Sequence, residues 1–125
     1  MIRMTKEMVL ALHALMAGET GGGRLLRSEA LLESAVEGTY ATFGGEELYP
    51  TIEEKAARLG YSLIANHAFE DGNKRIGVLV LLSYLEASGI RIRAGQQAVI
   101  DLGLGTASGQ MDQEDVLAWI RDHTA

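Results

Sequence analysis

The run Ile76 to Leu85 is apolar nearly all the way round a helix. Ile76, Val78, Leu79, Val80, Leu81, Leu82, Tyr84 and Leu85 leave almost no polar face for water. Such a helix is stable only when other elements cover most of its sides, so it predicts the central element of an all-α domain. The rest of the chain agrees, with a single proline and few alternating apolar and polar runs. With 47% hydrophobic residues over 125 positions, one domain spanning 1–125 is expected. A chain of this size buries about two-thirds of its unfolded surface.

Helix signals around that run give about six helices in all. Thr5 caps a first helix in which Val9, Leu12 and Met16 share a face. The cluster Gly18-Glu-Thr-Gly-Gly-Gly23 ends it. This cluster lacks the lysine-serine/threonine ending of a P-loop and follows no strand, so it reads as a flexible connector rather than a phosphate cradle. Ser28 opens a second helix carrying Leu31, Leu32, Ala35 and Val36. Thr51-Ile-Glu-Glu54 is a capping box that starts a third, with Ile52, Ala56, Leu59 and Leu63 on one face and an end near Asn66. Gly89 caps the central helix. The last two helices run from about Gln96 to Leu104 and from about Asp112 to Asp122, with Val116, Trp119 and Ile120 facing inward. From Gly38 to Pro50 the helical pattern breaks down, and the β-branched and aromatic residues around Gly44-Gly45 allow either a small hairpin or an ordinary loop.

Charge and composition remove several function classes. A net charge of −6 argues against direct nucleic-acid binding, which needs a basic face to displace counterions. There are no cysteines, hence no disulfides, thiolate zinc sites or thiol nucleophiles, which suits a reducing cytoplasm. Arg3 and Lys6 precede the apolar stretch Met8 to Ala17. Glu7 and His13 interrupt that stretch, so it reads as an amphipathic helix rather than a signal peptide. No charge-free apolar run reaches the roughly 18 residues of a membrane span.

Chemistry is concentrated in His67-Ala-Phe-Glu-Asp-Gly-Asn-Lys-Arg75, directly before the apolar helix. A helix N-terminus exposes unpaired N–H groups and a partial positive charge, which together attract anions. Gly72 lets the backbone turn sharply and approach a ligand without a Cβ in the way. The helix dipole alone is worth only about 0.3–1 kcal/mol at an exposed site. Lys74 and Arg75 must therefore supply much of the attraction for a polyphosphate. They stand at the end of the helix where cations are unfavourable, which weighs against two merely solvated side chains. Asp71 either caps the helix or, beside a phosphate, holds Mg²⁺ with retained waters. Asn73 either ties the loop to backbone groups, touches phosphate, or does both. His67, at the other end of the loop, has an imidazole suited to taking a proton from a hydroxyl near neutral pH. His13 and His123 read as structural. Phe69 reads as a core anchor for the loop, and Glu70 as solvent-facing.

On these residues the chain resembles the Fic/Doc superfamily, and Lys74 is similar to the death-on-curing (Doc) branch. Leu31-Leu-Glu-Ser-Ala35, Ala41-Thr-Phe-Gly-Gly45, Tyr49-Pro-Thr51, Glu54-Lys-Ala-Ala57 and Ala107-Ser-Gly109 with the tryptophan-bearing last helix also resemble segments of that branch. The resemblance implies an all-α bundle of about six helices with a small β-hairpin flap, Ala41 to Tyr49, that aligns a target segment. It implies transfer from ATP, with Mg²⁺, to a hydroxyl of a protein. His67 would be the base, Asp71 the metal ligand, and Gly72, Asn73, Lys74 and Arg75 the phosphate-binding loop. Fic enzymes have glycine where Lys74 stands and a second arginine where Val78 stands, so the resemblance implies a kinase moving the γ-phosphate rather than the nucleotide. It further implies a toxin acting on translation, with elongation factor Tu as target and a Phd-like antitoxin as restraint. Ala68 departs from the commoner proline, and Ile76-Gly77 from the commoner threonine-alanine.

Three readings follow: a Doc-type toxin kinase, a Fic-like nucleotidyltransferase that AMPylates a hydroxyl, and a non-catalytic binding module that keeps the loop for structural reasons. The first uses every motif residue and is the reading adopted. A zinc hydrolase lacks ligands, since the motif has one histidine and one nearby carboxylate against the three protein ligands such a site needs.

Overall fold

The computed structural model describes residues 3–20 and 26–125. Among these are six helices: α1 (Lys6–Thr20), α2 (Glu29–Thr39), α3 (Ile52–Asn66), α4 (Asn73–Ala87), α5 (Gln96–Ser108) and α6 (Gln113–His123). A two-stranded antiparallel hairpin, β1 (Thr42–Phe43) and β2 (Glu46–Glu47), stands between α2 and α3. No helix among the described residues is long and apolar enough to cross a membrane.

Local chemistry explains most boundaries. Thr5 Oγ1 accepts from Met8 N at 3.2 Å, and Ser28 Oγ accepts from Leu31 N at 3.1 Å. The capping box on α3 is complete, with Thr51 Oγ1 accepting from Glu54 N and Glu54 Oε1 accepting from Thr51 N. A second box, Asp112 with Asp115, starts α6. Gly44 and Gly45, at φ 60° and 84°, form the hairpin turn, so the strand alternative for this segment is the one realised.

Several boundaries and faces differ from expectation. α1 runs through Gly18 to Thr20, so the glycine cluster does not end it at its first residue. The remainder of the expected connector, Gly21 to Gly23, lies outside the described residues. The buried face of α1 is Val9, His13 and Ala17, with Leu12 and Met16 only half-buried beside it. α5 extends to Ser108 because its glycines are packing positions rather than breaks. A Cβ on Gly105 would meet Met111 Sδ at 2.6 Å, and the helix stops at Gly109 with φ 83°. Trp119 is half-buried with its ring on His123, while Val116 and Ile120 reach the core.

The greatest correction concerns the centre. α3 packs against α2, α4, α5 and α6, whereas α4 packs against α1, α3 and α5. α4 buries Ile76, Val80, Leu81, Tyr84 and Leu85, but Val78, Leu79 and Leu82 remain half-exposed along a groove beside α5. Its all-round apolar surface is therefore only partly covered.

α3 and α4 approach closely through two glycines. A Cβ on Gly60 would come within 2.7 Å of Leu81 Cδ1, and one on Gly77 would overlap Ile64 Cγ1 and lie 3.0 Å from the Gly60 carbonyl oxygen. In an open helix Gly→Ala stabilises by about 1 kcal/mol. Overpacking a close contact costs about 1–3 kcal/mol. Gly77→Ala is therefore expected to lower stability, by up to about 2 kcal/mol once the two terms are combined. Urea unfolding checks the sign, and a stabilised variant would mean that helix propensity outweighs the contact.

Candidate active site in the loop between α3 and α4

α3 ends because His67 takes the left-handed conformation, φ 51° and ψ 52°. It is the one non-glycine residue with positive φ among those described. Such a conformation costs about 1–3 kcal/mol and persists where the surroundings over-determine it. Here Arg27, just before α2, supplies the constraint. Its Nε donates to the His67 carbonyl at 2.7 Å and its Nη2 to the Asn66 carbonyl at 3.2 Å. The cation thus meets carbonyls at the negative end of α3, where the dipole favours it. Arg27 N and Ser28 N both donate to the Ala68 carbonyl, at 2.7 and 3.0 Å. Ala68 is buried, so the backbone bonds hold this turn without the ring of a proline.

Asn73 closes the loop from the other side. Its Oδ1 accepts from Phe69 N at 3.0 Å and its Nδ2 donates to the Phe69 carbonyl at 2.8 Å. Asn73 thus ties the loop to backbone groups, with its acceptor oxygen committed to Phe69 N. Phe69 points into the core, as expected, and its ring stacks on His13 with centroids 3.8 Å apart and planes at 6°. His13 lies 2% exposed and its Nε2 is 3.0 Å from the Asp71 carbonyl oxygen. His123 is structural, its Nδ1 2.7 Å from the Trp119 carbonyl.

The tip of the loop is glycine for two reasons. Gly72 has φ 80°, and a Cβ there would come within 2.7 Å of Met16 Cε. With glycine at the N-cap, no side chain caps α4. Asp71 is not that cap: its Oδ1 accepts instead from Gly72 N at 2.8 Å. The carboxylate is exposed, and among the described residues no group of three or more metal-binding side chains surrounds it. That composition fits Mg²⁺ brought with a nucleotide, since Mg²⁺ prefers one or two carboxylates, phosphate oxygens and water. It does not fit a metal held by protein alone.

Lys74 and Arg75 are exposed in the first turn of α4. Both line one end of the groove between α4 and α5, about 650 Å³, whose walls include Leu79, Leu82, Val99 and Leu104. The stem of Lys74 lies over Gly103, where a Cβ would be 3.2 Å from Lys74 Cγ. Glu70 is exposed. Among the described residues no side chain bonds to the His67 ring.

Residues that sequence reasoning missed act on the loop from afar. Arg27 and His13 hold it from the start of α2 and from α1. Lys55, 1% exposed, pairs with Glu47 Oε1 at 2.9 Å and donates to the Tyr49 carbonyl, fixing the base of the hairpin to α3. A lysine four residues into a capped helix carries no local sign of burial. The tip of the hairpin it anchors stands in solvent, with Phe43 81% exposed.

The match to the Fic/DOC family covers residues 3–85, which takes in α1 through the loop and most of α4. Among curated proteins the chain is similar to Toxin Doc of Mycolicibacterium smegmatis (strain ATCC 700084 / mc(2)155), with 39% identity over 74 residues. That alignment covers 59% of this chain and 57% of the relative.

Replacing Asn73 by alanine leaves the Phe69 N–H and carbonyl unpaired together in a buried setting. Each unsatisfied group costs about 1–3 kcal/mol, so Asn73→Ala is expected to destabilise by roughly 2–4 kcal/mol in urea unfolding. A loss under about 0.5 kcal/mol, the range of ordinary surface changes, would remove Asn73 from the loop's closure.

Proposed function

Since this chain belongs to the Fic/DOC family, we propose that it is a Doc-type toxin kinase, transferring the γ-phosphate of ATP to a hydroxyl of a target protein. The observation that carries the reading is the uncapped N-terminus of α4, with Gly72 at φ 80°, Lys74 and Arg75 in its first turn, and Asp71 beside it. This is an anion site with a carboxylate at its edge, which is the demand of a metal–polyphosphate.

In this reading the first-turn N–H groups of α4 and the cations of Lys74 and Arg75 receive the phosphates, with Arg75 as a fork and Lys74 as a point charge. Asp71 would hold Mg²⁺, which when bound would offset the charge of the phosphates. His67 accepts the proton of the target hydroxyl. The hydroxyl oxygen bonds to the γ-phosphorus as the bond between that phosphorus and the bridging oxygen breaks, and ADP leaves. Among the described residues no side-chain hydrogen bond engages the His67 ring, which leaves a nitrogen to receive that proton. The left-handed backbone at residue 67 adds support, because strain of this kind gathers at functional positions.

Lys74 favours the kinase over the nucleotidyltransferase. Whichever phosphorus lies in line with the hydroxyl is attacked, and a lysine with its stem packed over Gly103 occupies space and adds charge beside the phosphates. The hairpin would present the target segment. Similarity to a protein named Toxin Doc supports a toxin. The target and restraint we propose are those that the resemblance to the Doc branch implies, a translation factor such as elongation factor Tu and a Phd-like antitoxin, both in the cytoplasm.

Incubation with cell extract and ATP labelled at either the α or the γ position tests this. Label is expected on protein from the γ position alone, and label from the α position alone would replace the kinase by an AMPylating enzyme. His67→Ala is expected to lower transfer by about 10²–10⁴-fold, the usual contribution of a general base. Transfer at the parental rate in that variant would take the base role from His67.

A further inference from the structure

We infer that His13 is a positioning residue that sets the Asp71 carboxylate from the opposite side of the loop. This rests on the reading of Asp71 as the residue that meets the metal–nucleotide.

The geometry forms a short chain. His13 is 2% exposed on α1, with its ring under the loop. Its plane lies parallel to Phe69 at 3.8 Å, and its Nε2 is 3.0 Å from the Asp71 carbonyl oxygen. A carbonyl only accepts, so Nε2 carries the proton and donates. The peptide between Asp71 and Gly72 is planar and trans, and a trans peptide directs its C=O and N–H to opposite sides. Drawing the carbonyl inward to His13 therefore turns the Gly72 N–H outward. There it donates to Asp71 Oδ1 at 2.8 Å and fixes one oxygen of the carboxylate, leaving the other for a ligand. One rigid plane thus conveys the position of an α1 imidazole to the side chain that would hold the metal.

The close fit on this side adds to the constraint. A Cβ at Gly72 would lie 2.7 Å from Met16 Cε and 3.5 Å from His13 Nε2, so the α1 surface bounds the loop tip by contact as well as by hydrogen bond. The stacking and the donor are separable. Phenylalanine at position 13 keeps a ring on Phe69 and removes the donor, whereas glutamine keeps an amide nitrogen near the place of Nε2 and removes the ring.

The test compares the parent with His13→Phe and His13→Gln in two measurements. The first is amide-proton solvent exchange by NMR at Gly72, with Leu63 and Val80 as core references. The second is the Mg²⁺ concentration that half-saturates phosphate transfer, measured beside KM for the protein target. In His13→Phe, Gly72 exchange is expected to rise about tenfold, the scale of one lost hydrogen bond, with the core references unchanged. The Mg²⁺ requirement should rise several-fold while KM for the target stays within about twofold, and His13→Gln should recover most of both losses. Three results overturn the inference: parental values in His13→Phe, no recovery in His13→Gln, or acceleration as large at Leu63 and Val80 as at Gly72. If the parent transfers no phosphate, the kinase reading falls alone, and exchange at Gly72 still decides the role of His13.

Discussion

The reciprocal pair between the Asn73 carboxamide and the backbone of Phe69 is the interaction on which the site depends. It joins the first residue of α4 to the middle of the loop, so the loop cannot open without stranding a buried N–H and a buried carbonyl. An unmade bond of this kind costs more than a made one contributes, and that asymmetry holds the loop in one shape. Phe69, fixed by this pair, presents its ring to His13. Arg27 holds the other end at His67. Three helices and the approach to a fourth are therefore pinned to one turn of chain.

Rigidity at the loop requires rigidity beneath it, and the contact of α3 with α4 supplies it. At Gly60 and Gly77 the helices approach so closely that a single added carbon on either would meet its neighbour below 3 Å. Side chains that fit at that distance cannot slide, since protein interiors are packed at crystal density. The loop joins the end of one of these helices to the start of the other. Their fixed separation sets the span that His67 to Gly72 must bridge, and the left-handed turns at its two ends, φ 51° and 80°, are how so short a connection reverses direction.

The legible features were those whose partners lie close in sequence. The capping box at Thr51 closes within four residues, and the loop motif holds an imidazole, a carboxylate, a glycine and two cations in one stretch. The box at Asp112 appears in the structure alone. The hairpin was only half legible because its strands are exposed on both faces and leave no alternation to read. Less visible was anything that acts across the fold. His13 reaches the Asp71 carbonyl over 58 positions and Arg27 reaches His67 over 40, and neither residue type announces such a partner. α5 ends at Ser108 rather than near Leu104 for a related reason. Gly103 and Gly105 look like breaks locally, yet they make room for Lys74 and Met111. The open side of α4 was hidden too, because an apolar pattern tells that a face avoids water and not whether the chain itself covers it.

The electrostatics of the loop carry the argument from fold to chemistry. Lys74 and Arg75 stand where the α4 dipole repels them, at about 0.3–1 kcal/mol each for exposed cations. Elsewhere the chain places cations well: Arg27 at the carbonyl end of α3, Arg121 in the last turn of α6, Lys55 against Glu47. A protein of net charge −6 with carboxylates to spare leaves these two without an ion pair among the described residues, at a helix end that also lacks a cap. Three unsatisfied features of one sign thus coincide at one point: free N–H groups, the positive pole and two cations. Each is mildly destabilising in the free protein, and a polyanion relieves all of them at once. The charge on Asp71 opposes that attraction, and on the reading proposed above a divalent cation would turn the carboxylate from a repulsive group into a ligand.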